Sequence, residues 1–384
     1  MLRWALLLVA SVFLASASLV WLRAPTVTTW KLAILVSEFG HALILLPVLL
    51  VAVVLVQSGG RPSPVQAVTI LVALLTAVSL LRPTVTAWRL AQGMPDRLAK
   101  AFGATLPDRK PIEVSALWAV SPEAKVAIET REVRTPGVEE PLKMDFYRAV
   151  RPVGEPAPCV VMIHGGGWDS GDRTQLSALN HRLARRGYAV AAISYRLAPA
   201  HHWPAQRDDV EAALDALHRD ATALGIDPTR IVVMGRSAGG QIATAIAYRS
   251  GRSAIRGVVA YYAPHDLHFA WAFTKERDVL DSFKLMRNYL GGGPGEKKQA
   301  FDSASGYLAV NPQSPPTLLV HGQIDSLVWH RQSERLAEAL EKQGVPHFFL
   351  SLPWATHGFD FNPSGPGGQL ATYALEAFLA SVTR

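Results

Sequence analysis

The sequence predicts an α/β fold, a mostly parallel sheet flanked by helices, preceded by about three transmembrane helices. Three observations carry this. Short apolar runs alternate with helical patterns over the C-terminal two-thirds of the 384 residues, as in parallel strands joined by crossover helices. Residues 1–82 instead hold uninterrupted apolar runs of bilayer length. Between Ile231-Val232-Val233-Met234 and the helix pattern Gln241–Tyr248 lies Gly235-Arg236-Ser237-Ala238-Gly239, a sharp strand-to-helix turn with serine at its apex.

Taken in order, the apolar runs are Trp4–Leu22, about 19 residues without charge, Leu32–Val56, about 25 with Glu38 and His41 as the notable polar groups, and Val65–Leu81, about 17. A bilayer core asks for about 20. The breaks Arg23–Lys31 and Gln57–Pro64 carry Pro, Gly, Ser or basic residues, as turns do. Buried globular helices are usually shorter and amphipathic, so membrane spans explain these runs better than a soluble cap domain. The first run also has the marks of a secretory signal, with Arg3 ahead of it and Ala15-Ser16-Ala17 as a small-residue cleavage site, and that alternative stays open. Glu38 and His41 lie one helical turn apart and can share a face toward neighbouring helices. Ionisable groups at membrane depth are candidates for function, but the position near the start of the span favours a structural role here.

With three spans, Arg23, Lys31, Arg82, Arg89, Arg97 and Lys100 fall on one side and little beyond Arg3 and Arg61 on the other. Positive-inside bias then places the C-terminal domain in the cytoplasm; cleavage of the first span would leave it outside. A net charge of +7 suits a domain held against anionic headgroups. No Lys/Arg block with interleaved aromatics suggests nucleic-acid binding.

Residues 83–123, with Pro, Gly and mixed charge, form a connector, and 124–384 form one large domain. Its strand candidates are Val126–Val133, Leu142–Arg148, Cys159–Ile163, Tyr188–Ser194, Ile231–Met234, Gly257–Tyr262, Thr317–Val320 and Phe348–Leu352. Helical patterns include Arg207–Leu224, Gln241–Tyr248, Arg331–Gln343 and Gln369–Val382. The first two strands, joined through Thr135-Pro136-Gly137, form an antiparallel hairpin at one edge. Alternation fails over about 263–312, a lid-like insertion whose Trp271 and Phe273 either line a pocket or pin the insertion to the body. The single cysteine, Cys159, excludes an intrachain disulfide and reads as a small apolar residue of a buried strand. There is no internal repeat, phosphate-binding loop or metal-ligand cluster.

Ser237 is the candidate nucleophile. Upstream, the apolar strand Cys159–Ile163 runs into His164-Gly165-Gly166-Gly167-Trp168, where glycines let backbone N–H groups converge on a developing oxyanion. A serine alkoxide needs a base, and the base needs an orienting carboxylate, in the order Ser, Asp, His for this architecture. Asp325 follows the strand ending Val320-His321-Gly322, and His357 follows Phe348–Leu352. His265 and Asp266 stand on the wrong strand for that order.

From about Val126 onward the chain resembles the α/β-hydrolase fold, and within it the hormone-sensitive-lipase-like and feruloyl/acetyl-esterase-like carboxylesterases. The resemblance rests on His164–Trp168 with Gly171-Asp172, Tyr195-Arg196-Leu197-Ala198-Pro199, Trp203-Pro204-Ala205 with Asp208-Asp209, Gly225-Ile226-Asp227-Pro228, and Gly235–Gly240. It implies oxyanion donors from the backbone of Gly166, Gly167 and Ala238, a triad completed by Asp325 and His357, and no metal or organic cofactor. Two positions depart from the pattern: Arg236 replaces the acidic residue many lipase-like relatives carry before the nucleophile, and Ala200 replaces one after the Tyr-Arg-Leu-Ala-Pro run.

The expected activity is that of a multi-pass, membrane-anchored serine carboxylesterase or lipase, acting through an acyl-enzyme on Ser237. Its partners would be membrane lipids and a small-molecule or lipid-derived ester; the oligomeric state stays open. Acyl transfer to a membrane alcohol is an alternative, and a non-catalytic binding module would require a missing triad member. Removing Met1 to about Leu81 is expected to leave a soluble domain active on short esters.

Overall fold

The computed structural model describes residues 1–103, 106–119, 124–152 and 154–384; the predicted connector thus includes 104–105 and 120–123, which lie outside the described residues. Eight strands form one sheet: β1 (Ile128–Val133), β2 (Leu142–Tyr147), β3 (Ala157–Ile163), β4 (Ala189–Ile193), β5 (Ile226–Arg236), β6 (Ile255–Tyr261), β7 (Thr317–Gly322) and β8 (His347–Leu352). Their order is β1-β2-β4-β3-β5-β6-β7-β8. The hairpin β1–β2 is antiparallel, with Ile128 opposite Tyr147, and β2 is antiparallel to β4. From β4 to β8 every pairing is parallel.

Helices cover both faces, so β3, β4 and β7 are buried at every residue and read as continuous apolar runs rather than alternating ones. Cys159 lies in this core, and burial pushes its thiol up to about 12, consistent with an apolar filler rather than a nucleophile. Chain order reverses between β3 and β5, whose carboxyl ends carry the glycine-rich loop and Ser237. Crevices at such switch points are where α/β sheets bind ligands.

The insertion folds as three short helices, Leu267–Phe273, Ser282–Leu290 and Lys298–Ala304, and a 3₁₀ turn at Gly306–Ala309. Its two aromatics divide the expected roles. Phe273 lines a cavity at the end of the sheet, whereas Trp271 packs edge-on against Phe283 and Phe301 and pins the insertion.

Three N-terminal helices are long and apolar enough to cross a membrane: Leu2–Val20, Gly40–Gln57 and Pro64–Gln92. The apolar run Leu32–Val56 is not one helix. It breaks at Phe39, separating the helix Val27–Glu38 from Gly40–Leu43 and Leu45–Gln57. A Cβ at Gly40 would stand 2.4 Å from the carbonyl oxygen of Leu80, so only glycine permits this crossing with the third helix. Glu38 and His41 therefore do not share one helical face. Glu38 is buried against Trp354 of the loop after β8 and Gly367 at the start of the C-terminal helix, and His41 Nε2 lies 2.8 Å from the carbonyl of Leu117. The third helix runs on past Leu81 to Gln92, and its Ala87 and Ala91, with Met94 and Leu98 of the helix that follows, belong to the same hydrophobic core as Val160 and Met162 of β3. Residues 1–81 contribute further buried contacts at Glu38, which argues against a soluble, active remainder after their removal.

Candidate active site

Ser237 sits between β5 and the helix Ala238–Ala247 at φ +52°, ψ −121°, a conformation side-chain-bearing residues rarely adopt. Its N–H donates to the carbonyl of Tyr261 at 2.9 Å. The flanking glycines are sterically required: a Cβ at Gly235 would lie 2.1 Å from the Gly239 carbonyl oxygen, and one at Gly239 would lie 2.2 Å from that of Ile163. The turn thus pushes the serine out beyond the sheet while its neighbours press on β3.

The glycine-rich loop is held from both sides. The N–H of Gly165 donates to Gln175 Oε1 at 2.8 Å, and Gly166 and Gly167 take φ values of +119° and +60°. Trp168 donates its indole N–H to Gln241 Oε1 at 2.8 Å and stacks on Tyr289 of the insertion, 4.4 Å between ring centroids. His164 stacks on Tyr195 at 4.1 Å, and burial holds its pKa below the ordinary value, so it is a neutral support. Gly167, Ala238, Ser237 and Asp325 all line one cavity of about 470 Å³, whose lining includes neither Gly166 nor His357.

Asp325 is fully buried after β7, and both carboxylate oxygens are used. Oδ2 accepts from His357 Nδ1 at 2.7 Å, with His321 Nε2 3.2 Å away, while Oδ1 accepts from the N–H groups of Leu327 and Val328 at 2.8 and 2.9 Å. Burial alone would raise its pKa, but the two imidazoles more than offset this and hold it below the usual carboxylate range. A carboxylate only accepts, so His357 carries its proton on Nδ1 and leaves Nε2 free as a base. The ring of Tyr262 lies 4.3 Å from that of His357 and fixes its other face.

Several supporting residues escaped sequence reasoning. His321 lies within β7, next to its apolar residues, and reads in the sequence as one more buried strand position. Arg236 forms a buried ion pair with Asp360 at 2.5 Å, and Tyr262 donates its hydroxyl to the same carboxylate at 2.5 Å. The departure at Arg236 is therefore matched by a carboxylate three residues beyond His357. Sequence alone offered the basic residue but not its partner, 124 positions away. His265 and Asp266 have structural roles: Asp266 caps the helix Leu267–Phe273 through Phe269 N–H at 3.0 Å and pairs with Arg335 at 2.9 Å. His265 is buried between Thr244 and Ser333, and burial lowers its pKa to about 3. Among the described residues, no group of three or more His, Cys, Asp or Glu is arranged to hold a metal ion.

The pattern of the BD-FAE family matches residues 144–340, which include Ser237 and Asp325 and end before His357. Esterase LipQ of Mycobacterium tuberculosis is 28% identical over 253 residues, covering 62% of this chain and 59% of the relative. Ethyl acetate hydrolase of Pseudomonas putida is 30% identical over 234 residues, 57% of this chain and 71% of the relative. Among solved structures, a bacterial heroin esterase is similar with a TM-score of 0.61 at 26% identity, covering 71% of this chain and 89% of that one. The chain spans 54–62% of the length of the curated relatives it matches first.

Proposed function

The chain belongs to the BD-FAE family and has the α/β-hydrolase fold, and from that premise we propose that it is a membrane-anchored serine carboxylesterase acting through an acyl-enzyme on Ser237. The observation that carries this is the His357 Nδ1–Asp325 hydrogen bond of 2.7 Å, beside a cavity that exposes Ser237 at its strained turn. His357 takes the proton of Ser237 as its oxygen attacks the ester carbonyl. The backbone N–H groups of Gly166, Gly167 and Ala238 stabilise the oxyanion. Collapse expels the alcohol with the proton from His357; water, activated by the same imidazole, then releases the acid. Transfer to a membrane alcohol would share every step to the acyl-enzyme. Turnover of p-nitrophenyl butyrate with graded alcohol separates the two: constant acid yield supports hydrolysis, and replacement of acid by new ester supports transfer.

For the substrate we favour an amphipathic or lipid-derived ester. Arg23 and Ala24, just beyond the end of the first membrane-length helix, line the same cavity as Ser237. Phe273 and Trp329, also in the lining, are 59% and 42% exposed. Exposed aromatics next to a helix end suit the bilayer interface. In reconstituted vesicles, a long-chain ester in the enzyme's own bilayer should turn over faster than the same ester in separate vesicles. Equal rates would favour a soluble ester.

A further inference from the structure

The helix Val27–Glu38 starts on a reciprocal cap: Thr29 N–H donates to the Thr26 hydroxyl at 3.2 Å and Thr26 N–H to the Thr29 hydroxyl at 3.0 Å. That cap sets the phase of the helix. Trp30, Ile34 and Glu38, four residues apart, then fall on one face. All three meet the loop that carries His357. The Trp30 indole N–H donates to the His357 carbonyl at 2.9 Å. A Cβ on the next residue, Gly358, would lie 3.4 Å from Ile34 and 3.8 Å from Trp30. Glu38 accepts from Gly367 N–H at 2.9 Å and from Trp354 Nε1 at 3.3 Å. Just ahead of the helix, Ala24 N–H donates to Ser326 Oγ at 2.7 Å, next to Asp325.

We propose that Trp30 is a positioning residue of the active site: the segment linking the first two membrane-length helices holds the peptide of the catalytic base. The proposal rests on the reading of His357 as that base. Asp325 and Tyr262 restrain the imidazole ring, but they do not fix the peptide behind it. Gly358, at φ +78°, leaves that peptide free to rotate unless its carbonyl is tied, and among the described residues the tie is Trp30. Rotation moves Nε2 relative to Ser237, and a misplacement of about 1 Å can cost on the order of 10²-fold in rate. The membrane segment and the chemistry are thus coupled through one N–H group.

The test uses the full chain in detergent micelles, p-nitrophenyl acetate as substrate, and fluorophosphonate titration to count active sites. Trp30→Phe keeps an aromatic ring and removes the donor. Its kcat per titrated site should fall roughly tenfold, the size expected for a hydrogen bond of about 1.4 kcal/mol, with KM within about twofold. Leu35→Ala, on the exposed side of the same helix, should keep kcat. Should Trp30→Phe not fold, the isosteric benzothienyl analogue of tryptophan, with sulfur in place of N–H, should show the same loss. Wild-type kcat per site in either donor-free variant, or a loss seen only in thermal stability, overturns the role of Trp30. A fully active Ser237→Ala would instead overturn the reading on which the proposal rests.

Discussion

Asp325→Asn replaces one carboxylate oxygen by an amide NH₂ at nearly constant volume. Oδ1 can still accept from Leu327 and Val328, and His321 keeps the carbonyl of Val328 as an acceptor at 3.1 Å, so the loop should hold its shape. The damage falls on His357. Its Nδ1–H would face a second donor, so the ring would shift its proton to Nε2, where a proton disables the base. Losing the correct tautomer at a triad of this kind costs about 10⁴ in kcat, or about 5.5 kcal/mol. Initial rates with p-nitrophenyl acetate at neutral pH measure this, with thermal unfolding to show that the variant is folded. A folded variant with more than about a tenth of wild-type kcat would refute the orienting role, and Asp360 would become the acid to examine.

Two further outcomes follow from buried charge. Arg236→Met would strand the Asp360 carboxylate with only the Tyr262 hydroxyl; removing one partner of a buried pair costs about 3–5 kcal/mol, so the unfolding temperature should fall sharply, and adding Asp360→Asn should restore part of it. An unchanged unfolding temperature in Arg236→Met would show that the pair contributes nothing. Glu38, lodged in the domain outside the membrane-length helices, has its pKa raised from 4.5 to about 8, chiefly by burial. A raised folded-state pKa favours folding below the unfolded value, so each pH unit from 4.5 to about 8 should cost up to about 1.4 kcal/mol. Glu38→Gln should flatten the pH dependence of stability over that window; an identical slope in both proteins would contradict the assignment.

What was legible in the sequence was local. Strands such as β3 and β7 are buried on both faces, so runs such as Cys159–Ile163 and Thr317–Val320 announced themselves, and the glycines around Ser237 follow from the close backbone approach that a tight strand-to-helix turn requires. Asp325 and His357 could be named because chain order and strand ends constrain them. The supporting groups could not, since their partners are remote: Trp30 reaches His357 across 327 positions and Glu38 reaches Gly367 across 329. The break at Phe39 was hidden because the residues on both sides of it are mostly apolar, so the run reads as continuous. The polar groups flanking it, Glu38 and His41, are buried against Gly367 of the domain and Leu117 of the connector, contacts that the sequence does not show.

Reaction of the full chain with a fluorophosphonate, followed by peptide mass spectrometry, tests the central claim most directly. A single adduct on Ser237, prevented by an excess of ester substrate and absent from an inactive Ser237→Ala protein, is the predicted result. An adduct on another residue, or ester hydrolysis that survives in Ser237→Ala, would contradict the account.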